Sequence, residues 1–263
     1  MLVPLVPHAA LDALPTSARV GRALPTTELV AALAALTRRH RAAGAPPCQG
    51  AAFVAHSLGT AYLAALLKAE PRCVAAACFA DPICFLLHQR DVLHNFFYAR
   101  PRLAPAGTFA ACFHWLQHRM VSQDPTVQDC LRRQFWWSQF ELHPGLLPSR
   151  TLVLLSAADT VCRPFAVADD LRRRAPPGVA VRMAQGPLAI HGSLCLSPAA
   201  QRAAIAELQQ MLAASPQDKG LAPCDEGDTD SVSSSDESGH ESWSSEASRA
   251  APHVTLRLTA EVS

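Results

Sequence analysis

The sequence predicts an α/β fold, a parallel sheet with helices on both faces, and three observations carry that expectation. Apolar strand-like runs at 51–55, 74–80, 151–156 and 179–183 are separated by segments with helical signals. Strands alternating with helices in this way pair in parallel and are covered on both sides. With 263 residues and 49% hydrophobic content, the chain can bury one substantial core.

Each element has its own justification. Leu2-Val3-Pro4-Leu5-Val6 is a short apolar run followed by turn chemistry, read as a strand. Thr26 or Thr27 caps a helix reaching about Arg41, with Glu28 in its first turn and Leu29, Val30, Leu33 and Leu36 as its apolar stripe. Gly44 stops it. The strand at 51–55 runs into a helix from about 58 to 68 that meets no breaker before Pro71. The strand at 74–80 ends at Asp81-Pro82. Helices are expected at 164–174 and 198–212, the latter with Ser197 as cap and Pro198 at its first position. No internal repeat is visible.

Residues 85–145 interrupt the alternation. They hold no clear strand but eleven of the chain's sixteen aromatics, among them Phe96-Phe97-Tyr98, Phe113, Trp115, Phe135-Trp136-Trp137 and Phe140. Inserted between two sheet strands, this segment reads as a helical cap over the carboxyl edge of the sheet, where open α/β folds hold their ligands. Most of these aromatics are expected to pack the cap onto the body, while Phe96, Trp136 and Trp137 are the candidates for contact with substrate.

Charge divides the chain. Residues 215–263 carry ten acidic and three basic side chains, whereas residues 1–214 carry a net charge of +8. The tail lacks the apolar content to offset the entropy of ordering and is expected to be disordered. Its Ser233, Ser234 and Ser238 each have an acidic residue three positions on, a pattern that suits an acidophilic kinase. The expected organisation is therefore one folded domain, 1–214, and a tail, 215–263. The arginine clusters Arg38-Arg39-His40-Arg41 and Arg172-Arg173-Arg174 fall where helices should end, where cations complement the helix dipole. They do not point to a nucleic acid. A basic body also allows peripheral contact with a membrane surface.

The nine cysteines show no CxxC pair and no zinc-like spacing, and Cys73, Cys78, Cys84 and Cys112 sit in apolar context as small hydrophobes. With no cleavable signal visible and no window of eighteen consecutive apolar residues, a reducing, cytoplasmic setting is expected.

The most informative stretch is Ala51–Thr60, a buried strand entering a small-x-Ser-x-small turn and then an apolar helix. Serine is a poor nucleophile unless an exposed, strained corner holds it beside a base and an oxyanion site; a strand-to-helix elbow is such a corner. Ala55 and Gly59 are expected to be small because strand and helix nearly touch there. In this architecture an acid and then a histidine follow the serine in the chain. Asp159, three residues past the strand at 151–156, and His191, after the last strand, occupy those places. Asp81, at the end of the strand at 74–80, is the alternative acid. His114 and His118 are spaced i, i+4 but have no third ligand placed to complete a metal site. His56 faces away from Ser57 by strand alternation, and His88, His94 and His143 belong to the cap.

Ala55-His56-Ser57-Leu58-Gly59, Ser156-Ala157-Ala158-Asp159 and His191-Gly192 together resemble the α/β-hydrolase superfamily over about residues 1–214. More narrowly, Asp81-Pro82-Ile83-Cys84-Phe85-Leu86-Leu87-His88, Asn95-Phe96-Phe97-Tyr98 and Arg133-Gln134-Phe135-Trp136-Trp137 are similar to a branch of it from fungi and algae. The resemblance implies serine-dependent hydrolysis of a carboxylic ester or related acyl compound with an apolar group. It implies no cofactor and no metal. It also implies an oxyanion hole built from the Leu58 amide and a second amide in an upstream His-Gly loop. No His-Gly precedes Ser57, and the residues before the elbow strand read as only the fourth strand and the following helix of that fold. The chain is thus expected to lack the initial strands and half of the oxyanion hole. The competing expectation is a non-catalytic member of the fold that acts as an interaction module through its acidic tail.

Overall fold

The computed structural model describes residues 26–40, 50–98, 111–112, 115–116, 118–186 and 189–213. The expected strand at 2–6, Phe113, His114 and the tail lie outside the described residues. Helix α1 (Thr26–Arg39) precedes strand β1 (Ala51–His56), helix α2 (Leu58–Ala69) and strand β2 (Val74–Ala80). Strand β3 (Thr151–Ser156), helix α6 (Pro164–Arg174), strand β4 (Ala180–Ala184) and helix α8 (Pro198–Ala213) complete the body. Between β2 and β3 lie α3 (Asp91–Phe97), a π-helical turn (His118–Ser122), α4 (Pro125–Gln134) and α5 (Trp137–Phe140). A single turn, α7 (Ser193–Leu196), separates β4 from α8.

The four strands are parallel and lie in chain order, β1-β2-β3-β4. Every right-handed crossover then advances in one direction and leaves its helix on the same face. Accordingly α1, α2 and α6 share one core cluster with Ala77, Phe79, Val153 and Leu155. Helix α8, which follows the last strand, folds back under the opposite face, where Leu208 packs on Ala76, Cys78 and Leu152. The central strands β2 and β3 are buried on both faces and therefore read as almost unbroken apolar runs. Strand β1 alternates instead, with Val54 62% exposed on the face that α8 leaves open. No helix among the described residues is long and apolar enough to cross a membrane.

Polar contacts tie the cap to the body. Lys68 Nζ at the end of α2 donates to the carbonyls of Ser138 and Glu141, Leu142 N–H to Cys84 O, and Asn95 Nδ2 to Val161 O. Phe140 is buried and stacks on Phe135 with ring centroids 4.6 Å apart.

Three details depart from the sequence expectation. Strand β1 runs one residue further because His56 still pairs in register with Ala80. Strand β4 begins at Ala180 because Val179 N–H closes a turn on Pro176 O, around Gly178 at φ 95°. Cys112 is exposed, whereas its neighbour Ala111 is buried.

Gly50 enters β1 so close to β2 that a Cβ there would lie 2.6 Å from the Cys73 carbonyl carbon and 2.7 Å from Ala75 N. Gly59 is looser than the elbow motif implies, for its Cβ would meet only Ala55 Cβ at 3.9 Å, an ordinary contact. Gly50→Ala should therefore lose about 2 kcal/mol of stability and several degrees of Tm, with Gly59→Ala near wild type. Thermal melting of both variants checks this, and equal melting would contradict the backbone clash.

Candidate active site

Ser57 sits between β1 and α2 at φ 48° and ψ −119°, a conformation an L-residue adopts only under strain of about 1–3 kcal/mol. Its neighbours over-determine it. Ser57 N–H donates to Ala80 O at 3.1 Å, while Ser57 O accepts from Thr60 N–H at 2.9 Å and from Thr60 Oγ1 at 2.6 Å. The buried Thr60 hydroxyl in turn accepts from Ile83 N–H at 3.1 Å, which binds the elbow to the loop after β2. In the sequence Thr60 is one more position of the helix from about 58 to 68. A lone hydroxyl in an otherwise apolar first turn was the available signal, because a buried polar group needs a partner. The Leu58 amide follows Ser57 at the positive end of α2 and is one of the N–H groups a helix cannot satisfy internally. The expectation that no second donor precedes β1 concerns residues outside those described.

Asp159 and His191 reach Ser57 from the carboxyl ends of β3 and β4. Asp159 Oδ1 accepts from the amides of Val161 at 2.7 Å and Cys162 at 2.9 Å, which turns Oδ2 toward His191. His191 Nδ1 lies 2.7 Å from that Oδ2, and Nε2 lies 2.8 Å from Ser57 Oγ. With Nδ1–H donated to the carboxylate, Nε2 is left as the acceptor for the serine hydroxyl. The Asp159 and His191 side chains are only 1% and 3% exposed. Ala158 N–H donates to Ala189 O at 2.8 Å, so the acid and histidine loops are joined by backbone as well.

Asp81, the alternative acid, is fully buried at φ 43° and does not contact His191 Nδ1. Its Oδ2 accepts from Gly192 N–H at 2.8 Å. His56 Nε2 stands 3.8 Å from the same oxygen, an ion-pair distance rather than a hydrogen bond. Burial works against a charged His56, but the Asp81 carboxylate and the Cys195 thiol outweigh it and raise the imidazole pKa to about 9. Burial likewise pushes the Asp81 carboxyl up. His56, the Gly192 N–H and His191 more than offset it and hold that carboxyl below its usual value. His56 thus faces away from Ser57, and its ring lies tilted by 44° against that of His191, with centroids 5.4 Å apart.

The remaining candidates are spread out. His88 pairs with Glu141, His94 packs on Tyr98, and His143 accepts from Gly145 N–H. Phe96 packs partly buried against the main core, whereas Trp136 and Trp137 are 64% and 46% exposed. Asp159, Cys162 and His191 bring one potential ligand atom each to within 4.8 Å of the others. His191 Nδ1 and Asp159 Oδ2 already serve each other as donor and acceptor, however. The Cys162 thiol donates to Pro82 O at 3.3 Å, and burial, with the carboxylates of Asp159 and Asp81, holds it well above its ordinary pKa. A metal needs the thiolate, so the set fits hydrogen bonding better than ligation.

No family model matches the chain, and no curated protein matches it. Among solved structures it is similar to AbyA5, at 19% identity and a TM-score of 0.45, over 77% of this chain and 59% of that one. It is also similar to the 2-hydroxy-6-oxo-6-phenylhexa-2,4-dienoate hydrolase BphD from Rhodococcus sp. strain RHA1, at 14% identity and a TM-score of 0.43, over 62% and 65% of the two chains. A third is the thermophilic carboxylesterase EstE1 from a metagenomic library, at 14% identity and a TM-score of 0.42, over 72% and 62%. The chain spans less than two thirds of the length of each. In its parallel sheet order, the sides its helices take and its strand-to-helix elbow, the chain has the fold of the α/β hydrolases.

Proposed function

We propose that the protein is a serine hydrolase of a carboxylic ester or related acyl compound, with Ser57 as nucleophile, His191 as acid–base and Asp159 as the orienting carboxylate. The observation that supports this reading is the unbroken relay from Asp159 Oδ2 through His191 to Ser57 Oγ, with steps of 2.7 and 2.8 Å. Such a relay ends at a hydroxyl held in a strained elbow at a helix N-terminus.

The chemistry follows from these positions. Ser57 Oγ attacks the acyl carbon while its proton passes to His191 Nε2. Asp159, held by two amides, keeps Nδ1 protonated and stabilises the imidazolium. The Leu58 amide and the dipole of α2 face the developing oxyanion. His191 then gives the proton to the leaving alkoxide, and water releases the acyl group by the same steps in reverse. The aromatic cap favours an apolar acyl or aryl group, with Phe96 the best placed of the three proposed contacts because it lies against the core rather than in solvent.

Wild-type protein should react covalently with a fluorophosphonate probe, and Ser57→Ala should abolish the adduct. Intact-protein mass spectrometry reads this directly; labelling that persists in Ser57→Ala would rule out this nucleophile. Asp159→Asn should leave the protein folded but slow ester turnover by about 10⁴-fold, because the imidazole then takes the wrong tautomer. A folded wild type that neither labels nor turns over esters would favour the interaction-module reading instead.

A further inference from the structure

We propose that Asp81 and His56 form a second positioning device for the base, which holds the His191 loop through the Gly192 amide. It rests on the reading of Ser57 and His191 as nucleophile and base. Asp159 orients the imidazole at Nδ1, and Ala158 N–H ties Ala189 ahead of it, but neither contact reaches the residue that follows His191. That backbone turns sharply, with Gly192 at φ 87° in the left-handed region. Its amide is bound by a carboxylate from the end of β2, 111 residues away in sequence.

Asp81 is an expensive choice for that position. It is fully buried and bent to a positive φ, and its Oδ1 has no hydrogen-bond partner among the described residues. A buried carboxylate with an unsatisfied oxygen is destabilising unless a cation compensates it. His56 is the cation within reach, and its position next to the nucleophile makes it part of the elbow. Charge on His56 therefore keeps Asp81 ionised, an ionised Asp81 holds Gly192, and Gly192 holds His191. The other groups facing the pair are the His191 ring, the Cys195 thiol on α7, Ser156, and Cys162, whose Sγ lies 3.9 Å from Asp81 O.

The pH dependence follows from the sign of the shift. The imidazole of His56 is raised from 6.5 to about 9, so what the pair contributes is fully present below 6.5 and is lost as pH rises through about 9. Above that pH the buried carboxylate loses its cation and the His191 loop should loosen.

The test uses the full chain. Fluorophosphonate labelling rates of wild type, Asp81→Asn and His56→Gln are measured against pH, with imidazole titration and Gly192 amide exchange followed by NMR. Wild type should show His56 titrating near pH 9 and labelling falling through the same pH. In Asp81→Asn, the His56 titration should drop well below pH 9, Gly192 should exchange faster, and labelling at neutral pH should drop by up to about 100-fold. In His56→Gln the alkaline step should vanish, with the rate already low at neutral pH. His56→Gln also carries the test if Asp81→Asn does not fold. Wild-type His56 titrating near its ordinary value would overturn the proposal, as would variants that leave both Gly192 exchange and labelling unchanged. A wild type that does not label at all while the two NMR signatures appear would sink the hydrolase reading and leave the pairing intact.

Discussion

Parallel, in-register pairing of the four strands is the constraint on which the rest of the molecule depends. Because His56 pairs with Ala80, Ala80 with Leu154, and Ser156 with Ala184, β1 and β2 end together and β3 and β4 end together two residues further on. The loops that leave them, carrying Ser57, Asp81, Asp159 and His191, open side by side at one edge. Cross-links between loops follow from that proximity: Ser57 N–H to Ala80 O, Asp81 N–H to Leu154 O, Ala157 N–H to Ala184 O. A shift of one residue in any strand would turn its buried set to the wrong face and carry its loop out of reach.

Strain and burial are concentrated at that edge. The non-glycine residues with positive φ among those described are Ser57, Asp81 and Leu86, and the first two end adjacent strands. Positive φ persists only where surrounding contacts outweigh its penalty, and here those contacts are identifiable. Thr60 and Ile83 brace Ser57, while Gly192 and His56 hold Asp81. The same edge has two carboxylates with separate partners. Asp159 is satisfied on both oxygens and directs His191; Asp81 is satisfied on one and binds the backbone beside it.

Much of this architecture could be read along the chain. The strands at 74–80 and 151–156 and the helix at 164–174 are legible to the residue because uniform burial on two faces, or a proline start and an arginine end, writes an unambiguous local pattern. Boundaries are not local where a neighbour decides them, as at His56, which continues β1 through its pairing with Ala80. The cap was legible as helical and aromatic but not in its contacts. Phe135 and Phe140 stack inward, while the adjacent Trp136 and Trp137 face solvent.

The order of Ser57, Asp159 and His191, each just past a strand, is a property of the sequence, because parallel sheets expose the ends of their strands on one edge whatever the details. The distances between them are tertiary facts, and so is the division of labour between the two aspartates. Both Asp81 and Asp159 follow a strand, and nothing local distinguishes an acid that faces an imidazole from one that faces an amide. Only the relative height of the loops, set by register and by the turn at Gly192, decides which carboxylate meets His191 Nδ1 and which meets the backbone next to it.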